Sequence, residues 1–372
     1  MTETATLPEI TAERFAEVFS AVRDEVARVV VGQRDAVEQV LMAIFSGGHV
    51  LLTGMPGLGR TLLVKSLAHV LGLSYNRLQF TPDLLPTDIV GTEVLEVDRA
   101  TGNRHFRFFK GPVFANLVLA DEVNRSPART QAALLEVMQE RQVTVGGQRY
   151  FVPAPFIIIA TQNTLETEGV WPMPEAQTDR FMMSIELNYP DDAEELEIVS
   201  RTTGVSRIDL KRVSEPTEIL AMQQLAQVVP VAPSVKQFAA RLSRASRPDE
   251  DGAMPGLKGQ VRLGASPRSA QSMIWAAKVR DLAAGRHFVI RQDVASVALP
   301  VMAHRLILDY RASAHGLTVA QVVRELTDFV EDQMVPPATA RVRTLLKGRM
   351  ANARSERVWP AAFDRIKRRF GK

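Results

Sequence analysis

Gly54-Met55-Pro56-Gly57-Leu58-Gly59-Arg60-Thr61 follows the apolar run His49-Val50-Leu51-Leu52-Thr53 and opens a helical pattern that continues to Leu71. Glycines in such a loop let backbone N–H groups turn inward onto phosphate oxygens, and the helix behind the loop adds its positive N-terminal end. Gly54, Pro56, Gly57, Leu58, Gly59, Arg60, Thr61 and Leu62 are therefore the candidate nucleotide contacts, with the Thr61 hydroxyl the candidate ligand for Mg²⁺. One position departs from the phosphate-loop pattern. Lysine is expected where Arg60 stands, and a planar, forked guanidinium cannot sit as a compact ammonium between the β- and γ-phosphates. Read alone, the stretch also suits a plain Gly/Pro turn between strand and helix.

Downstream partners sharpen the reading. Arg77-Leu78-Gln79-Phe80, Leu117-Val118-Leu119-Ala120 and Phe156-Ile157-Ile158-Ile159-Ala160 are short apolar runs separated by helical patterns at Thr61 to Leu71 and Pro127 to Gln139. That alternation predicts a parallel sheet with helices on both faces. The second run ends in Asp121-Glu122, sixty residues after Thr61. Opposite a phosphate loop, Asp121 would hold Mg²⁺ and Glu122 would polarise the attacking water. The third run ends Thr161-Gln162-Asn163, placing an amide at the sheet edge where ligands of open α/β sheets gather. Asn163 is a candidate to orient water or touch the γ-phosphate, and as an isolated feature it is equally a turn former.

Two inserts interrupt the alternation and both read as hairpins: Thr92 to Phe109 around Thr101-Gly102-Asn103, and Gln142 to Val152 turning at Gly146-Gly147. They are candidate contact elements or padding for a subunit interface. Strands stop after Tyr189-Pro190-Asp191-Asp192, and helical patterns dominate from about residue 215, at Val235 to Ala245, Arg268 to Ala284 and Asp293 to Tyr310. The expected organisation is a helical segment at 1–29, a nucleotide-binding core at 30–190, a linker at 191–214, an all-helical domain at 215–340 and a tail at 341–372.

With 372 residues the chain is long enough for two domains. It holds no cysteine, which excludes disulfides, thiolate metal sites and cysteine nucleophiles, and its six histidines lack metal-ligand spacing. No apolar run approaches the ~20 residues of a membrane span, and no secretory signal opens the chain, so a cytoplasmic location is expected. The net charge of +3 conceals an asymmetry, because residues 341–372 carry +9 and the remainder −6. In that tail Trp359, Phe363, Ile366 and Phe370 would share one face of a helix ringed by Arg365, Lys367, Arg368 and Arg369. Such a helix docks on its own or a neighbouring subunit, or meets an acidic partner, nucleic acid or a membrane surface.

From Val31 to about Leu308, three quarters of its length, the chain resembles the MoxR-type AAA+ ATPases. Beyond the loop and the Asp121-Glu122 strand, the resemblance is carried by Val31-Gly32-Gln33, by Gln79 through Asp88 (Gln-Phe-Thr-Pro-Asp-Leu-Leu-Pro-Thr-Asp) and by Lys110-Gly111-Pro112-Val113-Phe114-Ala115-Asn116. Further on it is carried by Ala120 through Arg125, Ala160-Thr161-Gln162-Asn163, Pro174 through Phe181 and Gly264-Ala265-Ser266-Pro267-Arg268. The resemblance implies a P-loop αβα core with a parallel sheet, two hairpin inserts and a C-terminal helical lid. It also implies ATP and Mg²⁺ as ligands, Asn163 as sensor 1, Arg180 as an arginine finger offered to a neighbouring subunit, and Arg268 as the sensor 2 that reaches nucleotide from the lid. Arg125 is either a further intersubunit contact or an ordinary salt-bridge arginine. The chain departs from the family at Arg60 and at Thr164, where proline is common.

The function so implied is an ATP-dependent homo-hexamer, with ATP·Mg²⁺ bound between core and lid at subunit interfaces. It would remodel or mature a client protein complex, as a chaperone or in metal or cofactor insertion, with a von Willebrand factor A domain protein as candidate partner. Arg60 keeps open a nucleotide-gated scaffold with impaired hydrolysis. A DNA-directed motor of the same branch rests on the basic tail alone, and nucleic acid is not the expected partner.

Overall fold

The computed structural model of the chain describes residues 7–97, 103–163, 169–204 and 208–334. The tail at 341–372, the first hairpin's turn at Thr101-Gly102 and Thr164 lie outside them. Helix α1 (Ala12–Ala27) buries a stripe of Phe15, Val18, Phe19 and Val22, and the chain breaks at Val31-Gly32-Gln33 before α2 (Arg34–Phe45). The core then runs through β1 (Val50–Gly54), α3 (Arg60–Val70), β2 (Tyr75–Gln79), α4 (Pro86–Val90), β3 (Gly91–Val97) and β4 (Arg104–Lys110). It continues through β5 (Leu117–Asp121), α5 (Ala128–Glu140), β6 (Gln142–Val145), β7 (Gln148–Phe151), β8 (Ile157–Thr161), α6 (Glu175–Thr178) and β9 (Met183–Leu187).

Strands β2, β5, β8, β1 and β9 form one parallel sheet in that order, the αβα core that the resemblance implies. Central strands β5 and β8 are buried at every position, which is why their sequences read as unbroken apolar runs. Successive side chains feed opposite faces. Leu117, Leu119, Ile157 and Ile159 pack towards α1, α2 and α3, whereas Val118, Ala120, Ile158 and Ala160 pack under α5. The expected inserts are present as the antiparallel pairs β3–β4 and β6–β7.

The C-terminal region contains α7 (Asp192–Thr203), α8 (Pro216–Val228), α9 (Pro233–Ala245), β10 (Val261–Leu263), α10 (Pro267–Ala283), α11 (Arg291–Met302), β11 (Ile307–Leu308), α12 (Tyr310–Ala314) and α13 (Val319–Gln333). It is the helical lid, with one addition to an all-helical domain: β10 and β11 pair antiparallel. The helix expected from Asp293 to Tyr310 ends at Met302, because Pro300 denies its last turn a backbone donor and the chain turns to bring His304 and Arg305 onto the core. Part of the stretch read as a linker is helix α7. Its start is fixed by a reciprocal cap, Asp191 accepting from the Glu194 N–H at 2.9 Å while Glu194 accepts from the Asp191 N–H at 3.0 Å.

Candidate active site

Strand β1 delivers the phosphate loop at the C-terminal edge of the sheet. Gly54 adopts φ 125° and passes so close to β9 that a Cβ there would stand 2.6 Å from the Leu187 carbonyl oxygen, so only glycine fits. At Gly57 and Gly59 a Cβ would meet nothing within 4 Å, and the loop faces open space where phosphates would lie. Thr61 and Leu62 follow in the first turn of α3, Leu62 exposed.

Arg60 does not project from the loop but folds against it. Its Nη2 donates to the carbonyls of Gly54 and Met55, and its Nη1 to the Gln162 carbonyl at 3.4 Å. Its Nε is buried without a hydrogen-bond partner. Burial lowers the guanidinium below its ordinary pKa, against the attraction of Asp121 and Glu122.

Both acids at the end of β5 are held in place. The Thr161 hydroxyl donates to Asp121 Oδ1 at 2.6 Å and accepts the Glu122 N–H at 2.8 Å. Asp121 Oδ2 accepts from Arg77 Nη2 at 2.7 Å and Nε at 3.1 Å. Glu122 sits in the left-handed region, φ 59° and ψ 49°, a conformation that costs a non-glycine residue about 1–2 kcal/mol and persists only where its surroundings dictate it. Its Oε2 accepts from Gln79 Nε2 at 2.8 Å and pairs with Arg125 Nε at 3.3 Å. Asn163 is buried at the end of β8, where its carbonyl accepts from Asn124 Nδ2 at 3.1 Å. Thus Asp121, Glu122, Asn163, Arg60 and Thr61 all belong to the C-terminal edge of three neighbouring strands.

Beside the loop lies a cavity of about 460 Å³, lined by Val29 to Val31, the loop from Pro56 to Gly59, Tyr189, and Ile198 and Val199 of α7. Its mostly apolar wall suits a purine. The open space over the glycines and the buried, unsatisfied Arg60 Nε suit the phosphates. For Mg²⁺ the chain offers hard oxygen donors, the Thr61 hydroxyl and the Asp121 carboxylate, the ligand type that this ion takes alongside phosphate and water. The residues present therefore fit ATP·Mg²⁺.

Arg180 and Arg268 lie elsewhere. Met183, which opens β9, is in register with Val50, which opens β1, so the segment before β9 is at the N-terminal edge of the sheet. A strand length, about 13 Å, separates that edge from the phosphate loop. Arg180 Nη1 there donates to the Leu135 carbonyl of α5 at 3.0 Å. Arg268, at the start of α10, places Nη1 3.7 Å from Asp179 Oδ2. The structure therefore groups Arg180 with Arg268, away from this chain's own phosphate loop, and the helix that roofs the loop is α7 rather than the lid's α10.

Several participants escaped sequence reasoning: Arg77, Gln79 and Thr161 around the acids, α7 over the cavity, and Asp179 with Arg305 at the other edge. Gln79, Thr161 and Asp179 lie inside the family-like segments and Arg77 inside an apolar run, but no sequence signal assigned them a role.

Comparison with known proteins follows the same division. Residues 49–183 match the model of the ATPase family associated with various cellular activities (AAA), and residues 257–326 match the AAA lid domain. Chaperone MoxR1 of Mycobacterium tuberculosis is 44% identical over 306 residues, 82% of this chain and 80% of that protein. Protein MoxR of Methylorubrum extorquens is 30% identical over 84% of this chain and 93% of its own length. A crystal structure of a candidate ATPase from Cytophaga hutchinsonii superposes with a TM-score of 0.76 at 39% identity, covering 85% of this chain and 94% of that one.

Proposed function

Since the chain belongs to the MoxR-type AAA+ ATPases, we propose that it binds ATP·Mg²⁺ at Gly54–Leu62 and hydrolyses it within a homo-hexameric ring in the cytoplasm, using turnover to remodel or mature a client protein complex. The observation that carries this reading is the pair Asp121 and Glu122, both oriented through the Thr161 hydroxyl at the sheet edge that also presents the phosphate loop.

In this reading the loop N–H groups and the N-terminus of α3 hold the phosphates, and the α7 cavity holds the base. Mg²⁺, when bound, neutralises charge on the β- and γ-phosphate oxygens. Thr61 and Asp121 would hold the ion, so Arg77 must release Asp121 Oδ2. Glu122 takes the proton of the attacking water, and Asn163 orients that water. Arg180 and Arg268 lie towards the sheet edge opposite their own loop, which supports a role for both on a neighbouring subunit's nucleotide, where an arriving arginine offsets charge developing on the γ-phosphate. The client remains a protein complex, with a von Willebrand factor A domain protein as candidate. Among the described residues no helix is long and apolar enough to cross a membrane.

A second reading is favoured by Arg60. Its guanidinium is already engaged by loop carbonyls, so ATP could bind and drive ring assembly without turnover. A DNA-directed motor keeps only the basic tail in its favour. Equilibrium binding of ATP·Mg²⁺ with sedimentation in parallel tests the shared premise. Saturable binding with assembly into a ring supports it, and absence of saturable binding sinks both ATP readings.

A further inference from the structure

Arg305 is the most deeply buried ion-pairing arginine among the described residues, its side chain 2% exposed. It leaves the end of α11 and enters the segment 179–182 that carries Arg180. Its Nε donates to Asp179 Oδ1 at 2.7 Å, its Nη2 to the carbonyls of Asp179 at 3.1 Å and Phe181 at 2.7 Å, and its Nη1 to the Met182 carbonyl at 3.2 Å and to the Val301 carbonyl. The adjacent His304 adds Nε2–H to the Phe181 carbonyl at 3.0 Å. The other oxygen of Asp179 faces Arg268 at 3.7 Å, and the Ser266 hydroxyl reaches both carboxylate oxygens at 2.8 and 2.9 Å.

We propose that Arg305 is a positioning residue: a lid-borne clamp that fixes the backbone on either side of Arg180 and, through Asp179, sets the place of Arg268. This deepens the reading above and rests on its claim that Arg180 acts on the neighbouring subunit's nucleotide. The geometry gives the clamp its consequence. Arg180 follows Asp179 and precedes Phe181, so three of the carbonyls that Arg305 grips bracket the one residue that must be aimed. The gripping side chain belongs to the lid, whereas the gripped segment leads directly into β9, whose far end meets Gly54 of the phosphate loop. Displacement of α11 in one subunit therefore changes the arginine it presents to the next. A guanidinium suits this task because its fork serves several acceptors at once, and lysine cannot reproduce it.

The test uses mixed rings. Arg305→Lys keeps the charge opposite Asp179 but loses the fork. Alone, it should bind ATP with unchanged affinity and turn over about tenfold more slowly, one decade of rate. Mixed with Glu122→Gln subunits, which hydrolyse roughly 10²-fold or more slowly but present an intact Arg180, it should recover beyond their residual rate, because its own Glu122 is sound. Arg180→Ala mixed with Glu122→Gln is the control and should also recover, from a homomeric loss of roughly 10³-fold. If Arg305→Lys fails to fold, Asp179→Asn takes its place, since the backbone carbonyls still satisfy Arg305. Recovery in both mixtures supports the clamp. Recovery in the control alone, or full turnover by homomeric Arg305→Lys, overturns it and leaves the function standing. The mixtures are run with both Arg60 and Arg60→Lys. Absence of recovery in the control, or of phosphate release from any mixture, overturns the reading of Arg180 or of hydrolysis itself, and the clamp with it.

Discussion

The Thr161 hydroxyl stands 2.6 Å from Asp121 Oδ1, and its oxygen also accepts the N–H of Glu122. One side chain on β8 thereby orients Asp121, the proposed metal ligand, and stabilises the unusual backbone of Glu122, the proposed general base. Thr161→Val keeps the shape and removes the hydroxyl. It leaves a buried carboxylate oxygen and an N–H unsatisfied, so thermal and urea unfolding should show a loss of about 1–3 kcal/mol. Phosphate release should fall more steeply than ATP affinity, because Glu122 is no longer held in its left-handed conformation. Unchanged turnover would mean that Thr161 only packs.

If the cavity beside the phosphate loop holds the base, as proposed, α7 reads that part of the nucleotide. Ile198→Glu places a carboxylate into the apolar wall without disturbing the core, because α7 buries none of its residues. Affinity for ATP should weaken by at least about tenfold, a cost near 1.4 kcal/mol. Affinity for inorganic tripolyphosphate, which lacks a base, should change far less. Equal losses for both ligands would place the base elsewhere.

Stability should fall on mild acidification for a reason visible in two histidines. Burial lowers His304 to about 3, with Arg305 beside it adding to the effect, and burial lowers His49 to about 4. His49 accepts the Ile158 N–H at Nδ1 and donates from Nε2 to Met138, which fixes it as neutral. Unfolded imidazoles titrate near 6.5. Stability from these groups is therefore complete above that value and declines as pH drops, because the unfolded chain takes up protons that the folded chain refuses. At pH 5 each should cost about 2 kcal/mol. Urea midpoints measured from pH 7.5 to 5 check this, and His304→Gln should flatten the slope.

Much of this architecture was legible because burial writes itself into sequence. β5 and β8 are covered on both faces and read as pure apolar runs, and α1 carries a clean stripe. Helix α7 was read as linker because none of its residues is fully buried and its few apolar residues, Leu196, Ile198 and Val199, make too short a stripe to betray a helix. The end of α11 was missed because Pro300 was passed over inside a helical pattern and because the destination of Arg305, Asp179, lies 126 residues away in sequence. Arg77 and Asp121 pair across 44. Motif spacing located the loop, Asp121, Glu122 and Asn163 on one sheet edge. It could not show that Arg268 and Arg180 share the other, since that depends on how α10 and α11 pack against the start of β9.

Hydrolysis of ATP despite Arg60 is the step on which the proposed function turns. Steady-state phosphate release from ATP·Mg²⁺ by the native protein, beside Arg60→Lys and Glu122→Gln and with nucleotide binding measured in parallel, tests it most directly. Measurable native turnover is expected, lowered by roughly 10²-fold or more in Glu122→Gln while binding persists. Tight binding without turnover in the native protein, with phosphate release appearing only in Arg60→Lys, would contradict it and make the protein a scaffold held together by ATP.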